Sequence, residues 1–474
     1  MTKPHGSKRV HFLLLFCVAT AVVSPAQVFN FVSFDGPDGA NPSHMTFVQG
    51  VDGGIYGTTE FGGANEGGTI FKIASGATLN TLYSFCAQSN CGDGAYPFSG
   101  LVLATDGNFY GTTQQGGANG QGTFFEVTAR GMLTTLYSFC AQPDCIDGSY
   151  PFAGLALSDG NFYGTTQGGG SNGYGVVFKI TPTGQITTLH NFNSVDGAEP
   201  DAALVQATDG NFYGTTSSGG TYGFGTVFKI TPRGLLTTLH NFKMSDGSAP
   251  VGGLMQAIDG NLYGTTYSGG PNNGCFDGCG TIFKIVVHSG FTTLHSFDGA
   301  DGAYASATLV QATDGNLYGT TASGGNPVYG TVFKTTLAGT LTTLHAFDNA
   351  DGFGPDGGLL QSTSGKFYGT TYQGGDFACG SPYGCGTVFS LDMGLGPFVA
   401  FVLPAGKVGQ TGGILGQGFT GTTSVLLNGT PVTFTVVSDT YIRGTVPVGA
   451  TTGYVSVTTP SGTLTSNVPF HVLP

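Results

Sequence analysis

Residues 204–242 read LVQATDGNFYGTTSSGGTYGFGTVFKITPRGLLTTLHNF, and this stretch decides the fold. Four short segments rich in β-branched and aromatic residues are each bounded by turn residues, the pattern of consecutive strands. We label them A to D. Strand A is predicted over 204–208 and strand B over 211–216. Asp209-Gly210 between them suits a tight hairpin, because glycine takes a positive φ without a clashing Cβ. The glycine-rich run SSGGTYGFG leads to strand C, predicted over 226–231, and Pro232-Arg233-Gly234 turns the chain into strand D over 236–242. No segment carries a 3.6-residue apolar period, so helix content should be near zero.

The unit recurs. YGTT begins at Tyr56, Tyr110, Tyr163, Tyr213, Tyr263, Tyr318 and Tyr368. Four strands in a repeat of ~40–55 residues is the signature of a propeller blade. One blade cannot bury both faces of its sheet, and stacking blades solves that. The strand count also supports closure. The last A-B-C set ends at 387–392, and six D segments follow a C segment, ending in Phe85, Phe139, Phe192, Phe242, Phe297 and Phe347. The missing seventh D segment stands at the other end of the chain as VFNFVSF, residues 28–34. The expectation is an all-β chain: a seven-bladed β-propeller of four-stranded blades, closed by the N-terminal strand. Closure removes an open sheet edge that would otherwise pair with other chains.

The flanks differ from the repeats. Lys3, Lys8 and Arg9 precede the apolar run VHFLLLFCVATAVV and the small residues Ser24-Pro25-Ala26. This reads as a signal peptide over residues 1–26, with cleavage after Ala26. Its loss takes the 14 lysines and arginines down to 11, against 27 acidic residues. So acidic a surface repels phosphate backbones and anionic lipid, which argues against nucleic-acid binding. No later stretch reaches the ~18 apolar residues of a membrane span. Residues 27–394 are assigned to the propeller. Residues 395–474 lack YGTT and are predicted to hold about seven short strands, with turns at Gly412-Gly413, Asn428-Gly429, Gly449 and Ser461-Gly462. That suits an Ig-like β-sandwich without a disulfide.

Cys17 leaves with the signal peptide. The other eight cysteines fall in local pairs, Cys86/Cys91, Cys140/Cys145, Cys275/Cys279 and Cys379/Cys385. Even pairing in an exported chain favours disulfides. A zinc site would need four converging ligands, and these pairs lie far apart in sequence. In a meander blade the D-to-A and B-to-C loops emerge on one face, and the short A-to-B and C-to-D turns on the other. All four pairs then staple the loop face. Loops held on a rigid scaffold are where function usually sits. That face is expected to carry aromatic residues in or beside glycine-rich loops, among them Tyr174, Tyr222, Phe224, Tyr267, Phe276, Tyr329, Tyr372 and Tyr383. Such rings stack on sugars or anchor a partner protein.

The recurring DGNFYGTT…GTVFKITPxGxLTTLHxF resembles the Gloeobacter/Verrucomicrobia-type repeat of bacterial exported proteins, over residues 28–393. The resemblance implies an exported bacterial protein and no established chemistry. The run GGILGQGFTGTTSVLLNGTPVTF, followed by IRGTVPVGATTGYVSVTTPSGTLTSNVPFHV, resembles the IPT/TIG domain. That implies a spacer or interaction module.

No catalytic constellation is legible. His190, His240, His295 and His345 recur in strand D, one per blade, where they should diverge around the rim. Their equivalents Tyr83, Tyr137 and Val32 suggest a packing position, and His44 and His288 stand isolated. The Asp-Gly acids of the turns and loops read as turn caps. Calcium is the alternative where acids crowd, at Asp298…Asp301 and Asp348…Asp351, but the rest of an EF-type loop is missing. No cofactor or metal is therefore expected. The glycine clusters do not open a helix, which argues against dinucleotide or P-loop binding. The reading is a secreted or cell-surface monomer without catalysis, holding a glycan or extracellular protein on its loop face. The rivals are a propeller enzyme acting on extracellular polysaccharide and a purely structural envelope component.

Overall fold

The computed structural model describes residues 28–74, 78–272, 274–286, 290–379 and 383–473. The signal-peptide assignment, Cys17 and His288 lie outside these residues. The described chain is all-β, with three short 3-10 turns as its only helical elements.

Seven four-stranded antiparallel sheets of propeller-like form occupy residues 28–392. In the quoted repeat the strands are Val205–Gln206, Phe212–Thr216, Thr226–Ile230 and Leu236–Asn241. Strand A is therefore shorter than its sequence pattern suggests. The last sheet takes its outer strand from the N-terminus: Val28–Ser33 pairs antiparallel with Thr387–Asp392, from Val28 opposite Asp392 to Ser33 opposite Thr387.

Each letter of YGTT has a job. The tyrosines of the first six repeats are buried and donate their hydroxyls to the A-to-B turn aspartate, as Tyr213 does to Asp209 at 2.8 Å. The glycine lies under the strand C phenylalanine; a Cβ on Gly214 would stand 2.6 Å from Phe228 Cζ. The first threonine reaches the next sheet, as Thr320 Oγ1 donates to the Gly357 carbonyl at 3.1 Å. The second bonds the start of strand C within its own sheet, as Thr216 to Thr226 at 2.9 Å.

A backbone hydrogen bond of one kind links successive sheets. Tyr96 N donates to Gly67 O, Tyr150 N to Gln121 O, Glu199 N to Tyr174 O, Ala249 N to Phe224 O, Tyr304 N to Cys279 O and Gly354 N to Tyr329 O. The same bond joins the first repeat to the last, Asn41 N to Cys385 O at 2.8 Å. Thr370 Oγ1 adds a bond to Pro42 O at 3.2 Å across that junction.

Strand D histidines are not mere packing, which corrects the sequence expectation. His295 and His345 each lie 2.7 Å from the loop aspartates Asp301 and Asp351, and His190 lies 3.0 Å from Asp196. Tyr83 and Tyr137 replace the imidazole as donors to Asp93 and Asp147. The position exchanges His for Tyr because both offer a polar hydrogen to the same carboxylate. Val32 offers none to Asp38, and burial together with Asp35 pushes that carboxyl up to about 6.

After residue 399 the strands form two more four-stranded sheets and a two-stranded pair. They comprise ten strands rather than about seven. Gly412 and Gly413 lie inside the strand Thr411–Leu415, not in a turn. Gly413 fits there because Tyr441 covers it; a Cβ would meet that ring at 2.8 Å. These sheets sit on the A-to-B turns: Thr440 Oγ1 donates to Val51 O at 2.9 Å and Gln417 Nε2 to Thr363 Oγ1 at 2.9 Å. Leu415 and Tyr441 join the apolar cluster of Tyr56 and Phe109.

Candidate functional site at the axial mouth

The D-to-A loops of all seven repeats contribute to one site. Between them lies a cavity of about 230 Å³, lined by Thr46, Gly100, Ala153, Ala202, Gly252, Ala307 and Gly358 among others. Small residues are required here because the inner strands nearly touch: a Cβ on Gly358 would collide with Thr46 Oγ1, and one on Gly252 would stand 2.8 Å from Ala307 O. The cavity is smaller than the ~300–1,000 Å³ of drug-sized sites, so it suits one compact group.

At its loop-face end, one side chain per repeat stands at the same register, just after the position usually held by proline. In chain order these are Ser43 (followed by His44, since the first repeat has one extra residue), Phe98, Phe152, Asp201, Val251, Ser306 and Asp356. From Asp356 through Ser43 and His44 to Phe98 and Phe152 they make a continuous arc. Asp356 accepts from Ser43 Oγ at 3.1 Å and lies 3.7 Å from His44 Nε2. The His44 ring stacks on Phe98 at 4.8 Å, and Phe98 meets Phe152 at 3.6 Å between ring centroids. Asp201 follows in the next repeat and accepts from Ser217 Oγ at 2.7 Å through one oxygen. Its other oxygen, Oδ1, is sealed from solvent, and the Gln167 side chain also supports the carboxylate.

The residues that follow each YGTT are Glu60, Gln114, Gln167, Ser217, Tyr267, Ala322 and Tyr372, and of these Glu60, Gln167, Ser217, Tyr267 and Tyr372 interact with Asp201 or Asp356. Burial disfavours charge throughout. Desolvation pushes the Asp201 carboxyl up to about 6, with nearby Glu199 adding to the rise and Ser217 and Gln167 opposing it. Glu60 is pushed up to about 7 by burial and by the Asp356 charge. Asp356 itself is raised by burial, against the pull of His44. The Tyr267 and Tyr372 phenols are raised too, mainly by burial, then by Tyr304 and Glu60 respectively, and least by Asp356. Carboxyls shifted toward neutrality by desolvation are a common mark of functional sites.

Of the aromatic residues picked out in the sequence, Tyr267 and Tyr372 stand at this mouth. Tyr267 stacks on Tyr304 at 5.0 Å. Tyr174, Tyr222, Phe276 and Tyr383 are exposed in the B-to-C loops, away from the arc. Phe224 and Tyr329 pack against the apolar clusters beneath those loops. All four disulfides, Cys86–Cys91, Cys140–Cys145, Cys275–Cys279 and Cys379–Cys385, are formed in the loops of this face. Among the described residues no three His, Cys, Asp or Glu side chains converge as a metal site, and no helix is long and apolar enough to cross a membrane. The sequence reading missed His44, Phe98, Phe152, Asp201, Asp356 and Glu60. Aligning the repeats exposes them, because they vary where the residues around them stay constant.

The sequence profile of the Gloeobacter/Verrucomicrobia repeat matches residues 20–208 and 158–383. The chain belongs to that family. No functionally curated protein matches it. Among solved structures, this Gloeobacter/Verrucomicrobia repeat protein is similar to a fungal alcohol oxidase of the AA5 family determined in complex with copper. The TM-score is 0.52 at 12% identity, covering 95% of this chain and 100% of the oxidase. It also matches a protein from Bacteroides uniformis assigned as a 6-phosphogluconolactonase, with TM-score 0.43 and 16% identity over 64% of this chain and 84% of the other. A gluconolactonase from Xanthomonas campestris matches with TM-score 0.35 and 13% identity, over 57% and 78%. At such identities the oxidase likeness speaks for the fold alone, and the other two are too distant to argue from.

Proposed function

We propose that this repeat protein is an exported saccharide-binding protein whose ligand enters the axial mouth on the loop face. The observation that carries the reading is the arc of His44, Phe98 and Phe152 flanked by the carboxylates of Asp356 and Asp201. The part-exposed rings of His44 and Phe152, backed by the buried Phe98, offer apolar surface to a sugar, and carboxylates accept from its hydroxyls. In this reading residues 27–394 form a closed seven-bladed propeller; the bonds from Asn41 to Cys385 and from Thr370 to Pro42 support closure. Residues 395–474 form an Ig-like IPT/TIG module that acts as a spacer. Four disulfides accord with secretion as a monomer after loss of residues 1–26.

The test is a binding screen of the purified protein against polysaccharides and envelope fractions, with product analysis on every hit. Binding without product that is lost in Phe98→Ala and Phe152→Ala supports the reading. Binding that survives both substitutions refutes the site. A second reading, glycoside cleavage, is favoured by Glu60 and Asp201, whose carboxyls protonate nearer neutrality than usual, as a general acid requires. Released oligosaccharide that disappears in Glu60→Gln would replace the first reading with this one.

A further inference from the structure

Two neighbouring D-to-A loops depart from the other five in the same way. In those five the loop aspartate follows the strand D phenylalanine by four residues, as Asp196 follows Phe192. Asp93 and Asp147 follow Phe85 and Phe139 by eight. Cys86–Cys91 and Cys140–Cys145 close the longer loops. The same two loops deliver Phe98 and Phe152 to the axial arc, where the others deliver serine, aspartate or valine.

The two loops are copies in conformation as well. Asp93 is fully buried and accepts from Tyr83 Oη at 2.7 Å, Ala87 N at 3.0 Å and Gln88 N at 3.1 Å. Asp147, equally buried, accepts from Tyr137 Oη at 2.6 Å, Ala141 N at 2.9 Å and Gln142 N at 3.1 Å. Cys86, Asn90, Cys91 and Tyr96 are left-handed, with φ of 58°, 56°, 51° and 58°. Cys140, Asp144, Cys145 and Tyr150 repeat these values at 59°, 55°, 52° and 57°. Non-glycine residues hold this conformation at a cost, where the surroundings fix it, and ligand clamps are one place where they gather. Held in this way, each loop presents an exposed tip that begins Ala-Gln, at residues 87–90 and 141–144. Each then leads through half-buried Tyr96 or Tyr150 to its phenylalanine of the arc.

A surface that offers the same groups twice, on adjacent repeats, suits a ligand that also repeats. A linear chain of like sugars does so, and a single sugar does not. The cavity of about 230 Å³ takes one compact group, so a longer chain must lie over the loops. Once one unit of such a chain is held, the second contact is intramolecular and adds affinity with no new kind of contact. A glutamine amide both donates to and accepts from sugar hydroxyls. We propose, resting on the saccharide reading above, that the ligand is a linear polysaccharide of like units laid across these two loops, with Gln88 and Gln142 meeting equivalent groups along it.

The test is calorimetric titration of the purified protein with β-1,4-linked oligomers of glucose, of N-acetylglucosamine and of mannose, each at two and six units. In the series that binds, the hexamer should bind at least about ten-fold more tightly than the dimer. Gln88→Ala and Gln142→Ala should each weaken hexamer binding by about two- to ten-fold, the worth of a hydrogen bond. The double variant should lose most of the length preference. Both side chains are exposed, so urea midpoints should stay at the native value. Equal binding of dimer and hexamer, or a length preference that the double variant keeps, overturns the polymer inference and leaves the saccharide reading standing. A loss confined to one of the two single variants overturns it as well, because the loops are then not equivalent. No binding of any oligomer overturns both.

Discussion

Replacing Asp201 by asparagine should make the protein more stable at neutral pH, although it removes a native hydrogen-bonding group. Burial raises the Asp201 carboxyl from 3.8 to about 6. The folded protein therefore holds this proton more tightly than the unfolded chain does. Folding takes up a proton between the two values, so stability falls as pH rises through the window from about 4 to about 6. Above it the full penalty is present. Two units at 1.36 kcal/mol each set an upper bound of about 3 kcal/mol. Asparagine has no charge to desolvate and still accepts from Ser217. Its amide adds donors that must find partners, which takes back part of the gain. The expected stabilisation is about 1–3 kcal/mol near pH 7.5, shrinking toward zero near pH 4. Urea unfolding followed by tyrosine fluorescence, which is usable because the chain has no tryptophan, at pH 4, 5.5 and 7.5 measures it. A variant less stable than the native protein at pH 7.5, or a difference that ignores pH, would refute the reasoning.

Tyr213 is fully buried and bonded to Asp209, so Tyr213→Ala should destabilise by about 3–5 kcal/mol and Tyr213→Phe by about 1–2 kcal/mol; a loss below about 1 kcal/mol for alanine would contradict the strand register. Deleting residues 28–34 removes buried Phe34 and the stack of Phe29 on His345 and bares the Thr387–Asp392 edge. Size-exclusion chromatography should then show association, and added VFNFVSF peptide should reverse it. Converting Cys140 and Cys145 together to serine opens a loop of sequence separation 5 and should cost about 2 kcal/mol on chain-entropy grounds, read from urea midpoints. Asp301 and Asp351 are held below the usual carboxylate range by their histidine partners, His295 and His345, against burial. Their contribution is full above about pH 4 and is lost as pH falls further, so His345→Leu should move the acid-unfolding midpoint upward.

The repeat architecture was legible because its signals are local. Asp-Gly turns, the β-branched and aromatic runs and the count of D segments each depend on neighbours in sequence, and the observed sheets follow them. The pair Gly412-Gly413 misled for the same reason: glycine signals a turn unless a distant ring, here Tyr441, needs the space a side chain would fill. The strand D histidines misled because His, Tyr and Val share β propensity, and only the folded loop brings an aspartate to the first two. The axial mouth was hidden because its residues come from different repeats and meet only once the sheets assemble. The extra residue of the first repeat moved His44 out of register, so it looked solitary. The variation from Phe98 and Phe152 to Asp201 and Asp356 within a nearly uniform repeat was the signal available.

The outer strand of the last sheet has a consequence for timing. Ser33 leaves the ribosome long before Thr387, the residue it pairs with. At roughly 5–20 residues per second, tens of seconds separate the two. Throughout that interval Val28–Ser33, with Phe29 and Phe31, lacks the Thr387–Asp392 strand it pairs with. Assembly of the last sheet must wait for the far end of the repeat array, which makes the first-made strand the last to be used and the segment most in need of shielding by a chaperone.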